Sequence, residues 1–133
     1  MLATIHGERT LTELDFVRLT KLTADNAHSP ALADLLDAAE VLASREVPAD
    51  IVTMNARVEI EDLPTQQRQT LVVCYPGDAE PTTGLISVLS PVGIGLLGLK
   101  AGDTARWRTP GGEAAARVLA VVFQPEASGD YTT

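Results

Sequence analysis

Apolar residues recur along the first fifty positions at the 3.6-residue period of a helix and, beyond them, at the two-residue period of a strand. Leu11, Leu14, Leu19 and Leu22 fall on one helical stripe with Val17 at its border, while Phe16 lies off it. Thr12 followed by Asp15 reads as an N-cap with an acidic first turn. The pattern predicts a helix over about Thr12 to Thr23. Asp25-Asn26-Ala27-His28 reads as a turn. Ser29-Pro30 then combines a capping serine with proline at the first helical position, a second helix start. Leu32, Leu35, Leu36, Ala39, Leu42 and Ala43 carry that stripe to about Arg45, and Val47-Pro48 ends it. Asp34, Asp37 and Glu40 line its opposite side, spaced as a solvated helix face rather than as a metal site. Two such helices joined by a short turn predict an antiparallel hairpin, a short coiled coil over residues 1–49.

From Ile51 the period becomes two. Ala56, Val58 and Ile60 alternate with Arg57, Glu59 and Glu61, a half-buried strand. Further strands are predicted at Thr70 to Tyr75, Leu85 to Leu89, Thr104 to Thr109 and Ala114 to Phe123, with Ala105 and Trp107 facing inward. Pro110-Gly111-Gly112 is a tight turn. Ser90-Pro91 opens a short helical turn running to Gly98, whose apolar residues can cap the sheet. The fold class is therefore α+β, with a mainly antiparallel sheet and one short helix over residues 50–133. No internal repeat or low-complexity segment interrupts it.

The composition narrows the functional classes. The 133 residues contain 18 Asp and Glu against 10 Lys and Arg, a net charge of −8. That argues against direct binding of nucleic-acid phosphates and suits a protein that meets a basic surface. Residues 1–50 hold nine acids and four bases, a net of −5. The hairpin is thus the more acidic part per residue. The single cysteine, Cys74, excludes an internal disulfide and a cysteine-rich zinc site, and its strand position predicts a buried structural thiol. No apolar run approaches the roughly 18 residues of a membrane span, and the start lacks a signal-peptide pattern, so the expected compartment is the cytoplasm. His6 and His28 are the two histidines, one at the start and one in the hairpin turn. Neither position holds an imidazole rigidly beside a nucleophile. Gly93, Gly95 and Gly98 miss the spacing of a dinucleotide or phosphate loop. The residues supply no catalytic set, cofactor site or metal site.

Several segments of the second half resemble a known family. Ser90-Pro91-Val92-Gly93, Leu96-Leu97-Gly98-Leu99-Lys100, Gly102-Asp103 and Thr109-Pro110-Gly111-Gly112 follow one another as in the C-terminal domain of the bacterial Gre transcription elongation factors. Val52-Thr53-Met54-Asn55-Ala56-Arg57-Val58 and Gln124-Pro125-Glu126-Ala127-Ser128-Gly129-Asp130-Tyr131 narrow the likeness to the small Gre relatives of the nucleoside diphosphate kinase regulator type. The likeness covers residues 47–133. It implies an FKBP-like sheet domain that binds RNA polymerase at the rim of the secondary channel. It implies no chemistry of the chain's own, and an indirect effect on nucleoside diphosphate kinase levels.

In Gre factors the matching Ser-Pro loop contacts a coiled coil of the largest polymerase subunit. Ser90, Pro91 and Val92 are the corresponding docking residues here; the plainer alternative is that Ser90-Pro91 only caps a helical turn. Leu89 stands where the family often has an acid. Gre factors also push a long coiled coil down the channel, with acidic tip residues that help hold a magnesium ion. The hairpin predicted here spans only roughly 18 to 24 Å at 1.5 Å per residue, and Asp25 is the one carboxylate at its tip. Holding Mg²⁺ ordinarily takes paired acids or a substrate phosphate. The expectation is a monomeric regulator that occupies the channel rim without stimulating cleavage. The alternatives are a generic protein-binding module, or an FKBP-like prolyl isomerase or chaperone. Against the isomerase, five scattered aromatics (Phe16, Tyr75, Trp107, Phe123 and Tyr131) do not furnish a proline pocket.

Overall fold

The computed structural model describes residues 9–25 and 29–129. The expectations for His6, His28 and Tyr131 fall outside the described residues, as does the side chain of the tip residue Asp25.

The first helix, α1, spans Glu13–Asp25. Thr12 caps it as expected, its hydroxyl oxygen accepting the Asp15 N–H at 2.9 Å. The second, α2, spans Pro30–Ala38, with the Ser29 hydroxyl accepting the Leu32 N–H at 3.2 Å and proline at its first position. Leu32, Leu35 and Leu36 are its buried face, and Asp34 and Asp37 are exposed opposite them.

The helix does not continue to Arg45. Ala39 turns extended, and Glu40–Leu42 form a strand, β2, that pairs in parallel with β1, Thr10–Thr12, just ahead of α1. The Glu40 N–H donates to the Arg9 carbonyl at 2.9 Å. Local propensity permits helix through Leu42 and Ala43, but a strand partner is available and the tertiary pairing wins. The same pairing revises the hairpin. A straight antiparallel helix pair would leave its two ends running in opposite directions, whereas β1 and β2 run the same way. The two helices pack on each other, and the chain turns where they meet the strands.

The remainder is a curled five-stranded sheet. Its strands are β3 (Arg57–Asp62), β4 (Arg68–Cys74), β5 (Leu85–Ser87), β6 (Thr104–Thr109) and β7 (Gly112–Phe123). They lie in the order β5-β4-β3-β7-β6. Three neighbouring pairs are antiparallel, as the alternation suggested; β5 is parallel to β4, which the short run Leu85 to Leu89 gave no means of foreseeing. The short helix α3, Pro91–Leu96, sits between β5 and β6.

Val58, Ile60, Leu71, Val73, Ala105, Ala116 and Val118 make the inner face of the sheet. They share one apolar cluster with Leu96 and Leu97 around α3 and with Leu11, Leu19, Leu32, Leu35 and Leu36 from the N-terminal elements. The core therefore runs across residue 50. Burying those leucines at about 25 cal/mol per Å² is what holds two helices this short, each marginal alone.

Candidate docking site

The Ser-Pro segment is held on the end of β5 by a small hydrogen-bond net. The Ser90 hydroxyl accepts the Gly93 N–H at 3.1 Å and donates to the Ser87 carbonyl at 2.7 Å. The Leu89 N–H donates to the Ser87 hydroxyl at 3.0 Å, and the Ile94 N–H to the Ser90 carbonyl at 3.0 Å. Ser90 is thus a helix cap bonded on both sides, and its hydroxyl has little left to offer a partner. Pro91 occupies the first helical position and is exposed, whereas Val92 is half-buried and packs on the core. Of the three expected docking residues, Pro91 is the one that presents its ring outward.

A cleft of about 360 Å³ opens beside it. Trp107 on β6 stands against α3 at Gly95, where an added Cβ would lie 3.3 Å from the indole Cε3. Leu89, Pro91 and Ile94 line the other side, and the start of α2 closes one end with Ser29 and Ala31. Trp107 lines it, while Tyr75 and Phe123 do not. Arg9, Arg106 and Arg108 also border the cleft. The Arg9 guanidinium donates from one nitrogen to the carbonyls of Ile94 at 2.8 Å and Leu97 at 2.7 Å. Those are end carbonyls of α3, so Arg9 both caps that helix and ties β1 to it. Nothing in the local sequence around Arg9 signals this role, because its partners lie 85 and 88 positions away.

A second polar site joins α1 to the sheet. Asp15 was read as an ordinary first-turn acid, but it is fully buried. Its Oδ2 accepts the Met54 N–H at 3.1 Å, and its Oδ1 has no hydrogen-bond partner. Nearby, Glu126 is 6% exposed and accepts the Thr53 hydroxyl at 2.7 Å. Burial pushes the Asp15 carboxyl up from 3.8 to about 7; repulsion from Glu126 adds to this, while the Met54 bond, Thr12 and Arg18 oppose it. Burial and the neighbouring Asp15 push the Tyr75 phenol up to about 12. The signal was present: Asp15 lies four residues after Leu11 and four before Leu19, both buried, and so occupies the apolar stripe itself.

Cys74 is a buried thiol, 2% exposed, its pKa raised first by burial and then by Asp78, which is the opposite of an activated thiolate. Among the described residues no group of three or more His, Cys, Asp and Glu is placed to hold a metal ion, and no helix is long and apolar enough to cross a membrane. The arrangement places an exposed proline beside a cleft lined by Leu89, Ile94 and Trp107.

The Gre likeness of the sequence recurs in comparisons with known proteins. Residues 47–123 match the family model of the transcription elongation factor GreA/GreB C-terminal domain. Over 127 residues the chain is 37% identical to the regulator of nucleoside diphosphate kinase of Escherichia coli K12, covering 91% of this chain and 93% of that one. It is 35% identical over 92 residues to the transcription elongation factor GreA of Acidiphilium cryptum, covering 69% of this chain and 59% of that protein. Among solved structures, a prokaryotic GreA/GreB transcription elongation factor from Nitrosomonas europaea superposes with a TM-score of 0.73 at 34% identity, over 87% of this chain and 98% of that one.

Proposed function

We propose, for a chain that belongs to the GreA/GreB transcription elongation factor family, a regulator with no chemistry of its own that docks on RNA polymerase at the rim of the secondary channel. The observation that carries this is the exposed Pro91, fixed at the start of α3 by the Ser87–Ser90 net. A rigid ring on a preorganised loop loses little entropy on binding. The partner element is the coiled coil of the largest polymerase subunit. Ser90 and Val92 act mainly by holding Pro91 in place.

The helices support occupancy without cleavage. α1 has 13 residues and α2 nine, so they extend only about 20 and about 14 Å at 1.5 Å per residue. That is too short for a tip at Asp25 to reach a metal ion deep in the channel. The chain acts in the cytoplasm as a monomer that competes with Gre factors, and any effect on nucleoside diphosphate kinase levels follows from altered transcription.

Binding to purified core polymerase tests the docking. Replacing Pro91 with Glu, at an exposed first-turn position, leaves the melting temperature near that of the parent and weakens binding more than tenfold, which is 1.4 kcal/mol. Unchanged affinity excludes the loop as the contact. A backtracked elongation complex tests the mode of action. The protein alone yields no transcript cleavage but slows cleavage stimulated by a Gre factor, and excess Gre factor restores the rate, as mass action at a shared site requires. Robust cleavage by the protein alone, or inhibition that excess Gre factor does not relieve, overturns the reading.

A further inference from the structure

The core and the helices α1, α2 and α3 lie on one face of the five-stranded sheet. The positions that alternate with the core residues form its other face. That outer face holds Arg57, Arg68, Arg106, Arg108 and Arg117, all exposed, which is half of the chain's 10 Lys and Arg. Arg106 turns its backbone carbonyl toward α3, 3.4 Å from where a Gly95 Cβ would lie, and its side chain outward between the inward Ala105 and Trp107. Glu59, Glu61 and Glu113 share the face, so five arginines against three glutamates leave it at +2. The other five bases and 15 acids put the rest of the chain at −10. Among the described residues Arg68 is the one of the five in an ion pair, with Glu61 at 4.0 Å. Arg57 stands between Val72 and Phe123 in the ladder and Arg106 opposite Ala115, so neither has an acid across from it. Phe123 is 45% exposed beside Arg57. The two lysines, Lys21 and Lys100, lie outside these strands. Arginine with an exposed aromatic and no lysine is the composition of a protein contact, and the guanidinium fork takes a carboxylate by two parallel bonds.

From this composition and charge we infer that the outer face of the sheet receives an acidic protein segment that also brings an apolar side chain. Its carboxylates meet Arg57 and Arg117. These stand about 13 Å apart, because four residues of β3 separate Arg57 from Glu61, the ladder partner of Arg117. Its apolar side chain packs on Phe123 and Val72. The surface lies across the sheet from α3, so the inference goes beyond polymerase docking and does not rest on it. A nucleic-acid strand fits less well. Glu59 and Glu61 stand along β3 between the two arginines and oppose a continuous run of phosphates, and the rest of the chain, at −10, repels a long polyanion.

The test follows backbone amide resonances of the full chain as a soluble synthetic peptide rich in Glu with interspersed Leu is added, at 50 and at 300 mM salt. A peptide carrying Gln for every Glu is the comparison. The Glu peptide is expected to shift residues of β3, β4 and β7 around Arg57, Arg117 and Phe123, and to bind more weakly at the higher salt. The Gln peptide is expected to bind at least tenfold more weakly. Arg57→Glu is expected to lower affinity for the Glu peptide at least tenfold and Arg117→Gln about threefold, with melting curves confirming that each variant is folded. Absence of binding, shifts confined to residues around Pro91 and Trp107, or parental affinity in both variants overturns the inference. A short single-stranded RNA is the contrasting probe. If it shifts the same residues at lower concentration than the Glu peptide, the face belongs to nucleic acid and the acidic protein partner is wrong.

Discussion

Asp15→Asn is expected to make the protein more stable than its parent at pH 8, and the advantage should disappear toward pH 4. The carboxyl is fully buried, and its pKa lies at about 7 in the folded chain against 3.8 for a solvated aspartate. Between those values the folded state holds a proton that the unfolded state has released. The stability that this proton confers is complete below pH 3.8 and is lost as the pH rises through 7. At 1.36 kcal/mol per pH unit, the interval amounts to about 4 kcal/mol, an upper bound that relaxation of the site will reduce. Asparagine keeps a carbonyl for the Met54 N–H and never has to ionise beside Glu126. Urea unfolding of both proteins at pH 5 and pH 8 measures the difference, and comparing the two proteins cancels the other titrating groups. Parallel stability curves for the two would show that Asp15 ionises in the folded state as freely as in water.

The burial of Asp15 shows where the sequence could be read and where it could not. The apolar alternation at Val58 and Ile60, and at Ala105 and Trp107, was legible because each strand buries one face on a shared core, so a local pattern reports a local fact. Helix starts were legible for the same reason: Thr12 and Ser29 bond to backbone N–H groups within three residues. The end of α2 was not. Leu42 and Ala43 continue the helical stripe, and it is pairing with β1, begun by the Glu40 N–H on the Arg9 carbonyl 31 positions away, that turns Glu40–Leu42 into a strand. Parallel pairing of β5 and the anchoring of Arg9 on α3 are non-local in the same way. The Ser90-Pro91-Val92 segment stood out as a motif, but Pro91 outward, Val92 inward and the cleft walled by Trp107 appear only once the sheet places β6 beside α3. What sequence reasoning lost was therefore every contact whose partner is distant in the chain, which includes most of the cleft.

Gly93→Ala should be among the most damaging single changes in the second half, although helix propensity alone predicts the reverse. Alanine is favoured over glycine inside a helix by roughly 1 kcal/mol, and Gly93 lies within α3. The geometry opposes this. A Cβ at residue 93 would be driven into the Ser87 carbonyl oxygen and would lie 2.9 Å from the Val88 Cα. Both obstacles are backbone, so no rotamer change relieves them. The Ser87 carbonyl also accepts from the Ser90 hydroxyl and N–H, so moving it breaks the net that holds Pro91. Forcing an extra carbon into a packed site costs about 1–3 kcal/mol where neighbours can yield, and more against main chain, so a net loss of about 3 kcal/mol is expected. For a chain of this size that lowers the melting temperature by about 10 °C. Gly77→Ala is the matched control, because a Cβ there meets nothing within 4 Å, and it should stay within about 0.5 kcal/mol of the parent. Polymerase affinity should fall with Gly93→Ala even at a temperature where the protein is fully folded, since Pro91 can no longer sit where the Ser87–Ser90 net puts it. Equal melting temperatures for the two alanine variants would mean that α3 can slide away from β5 at little cost, and the loop would then not be the rigid docking element that its hydrogen bonds describe.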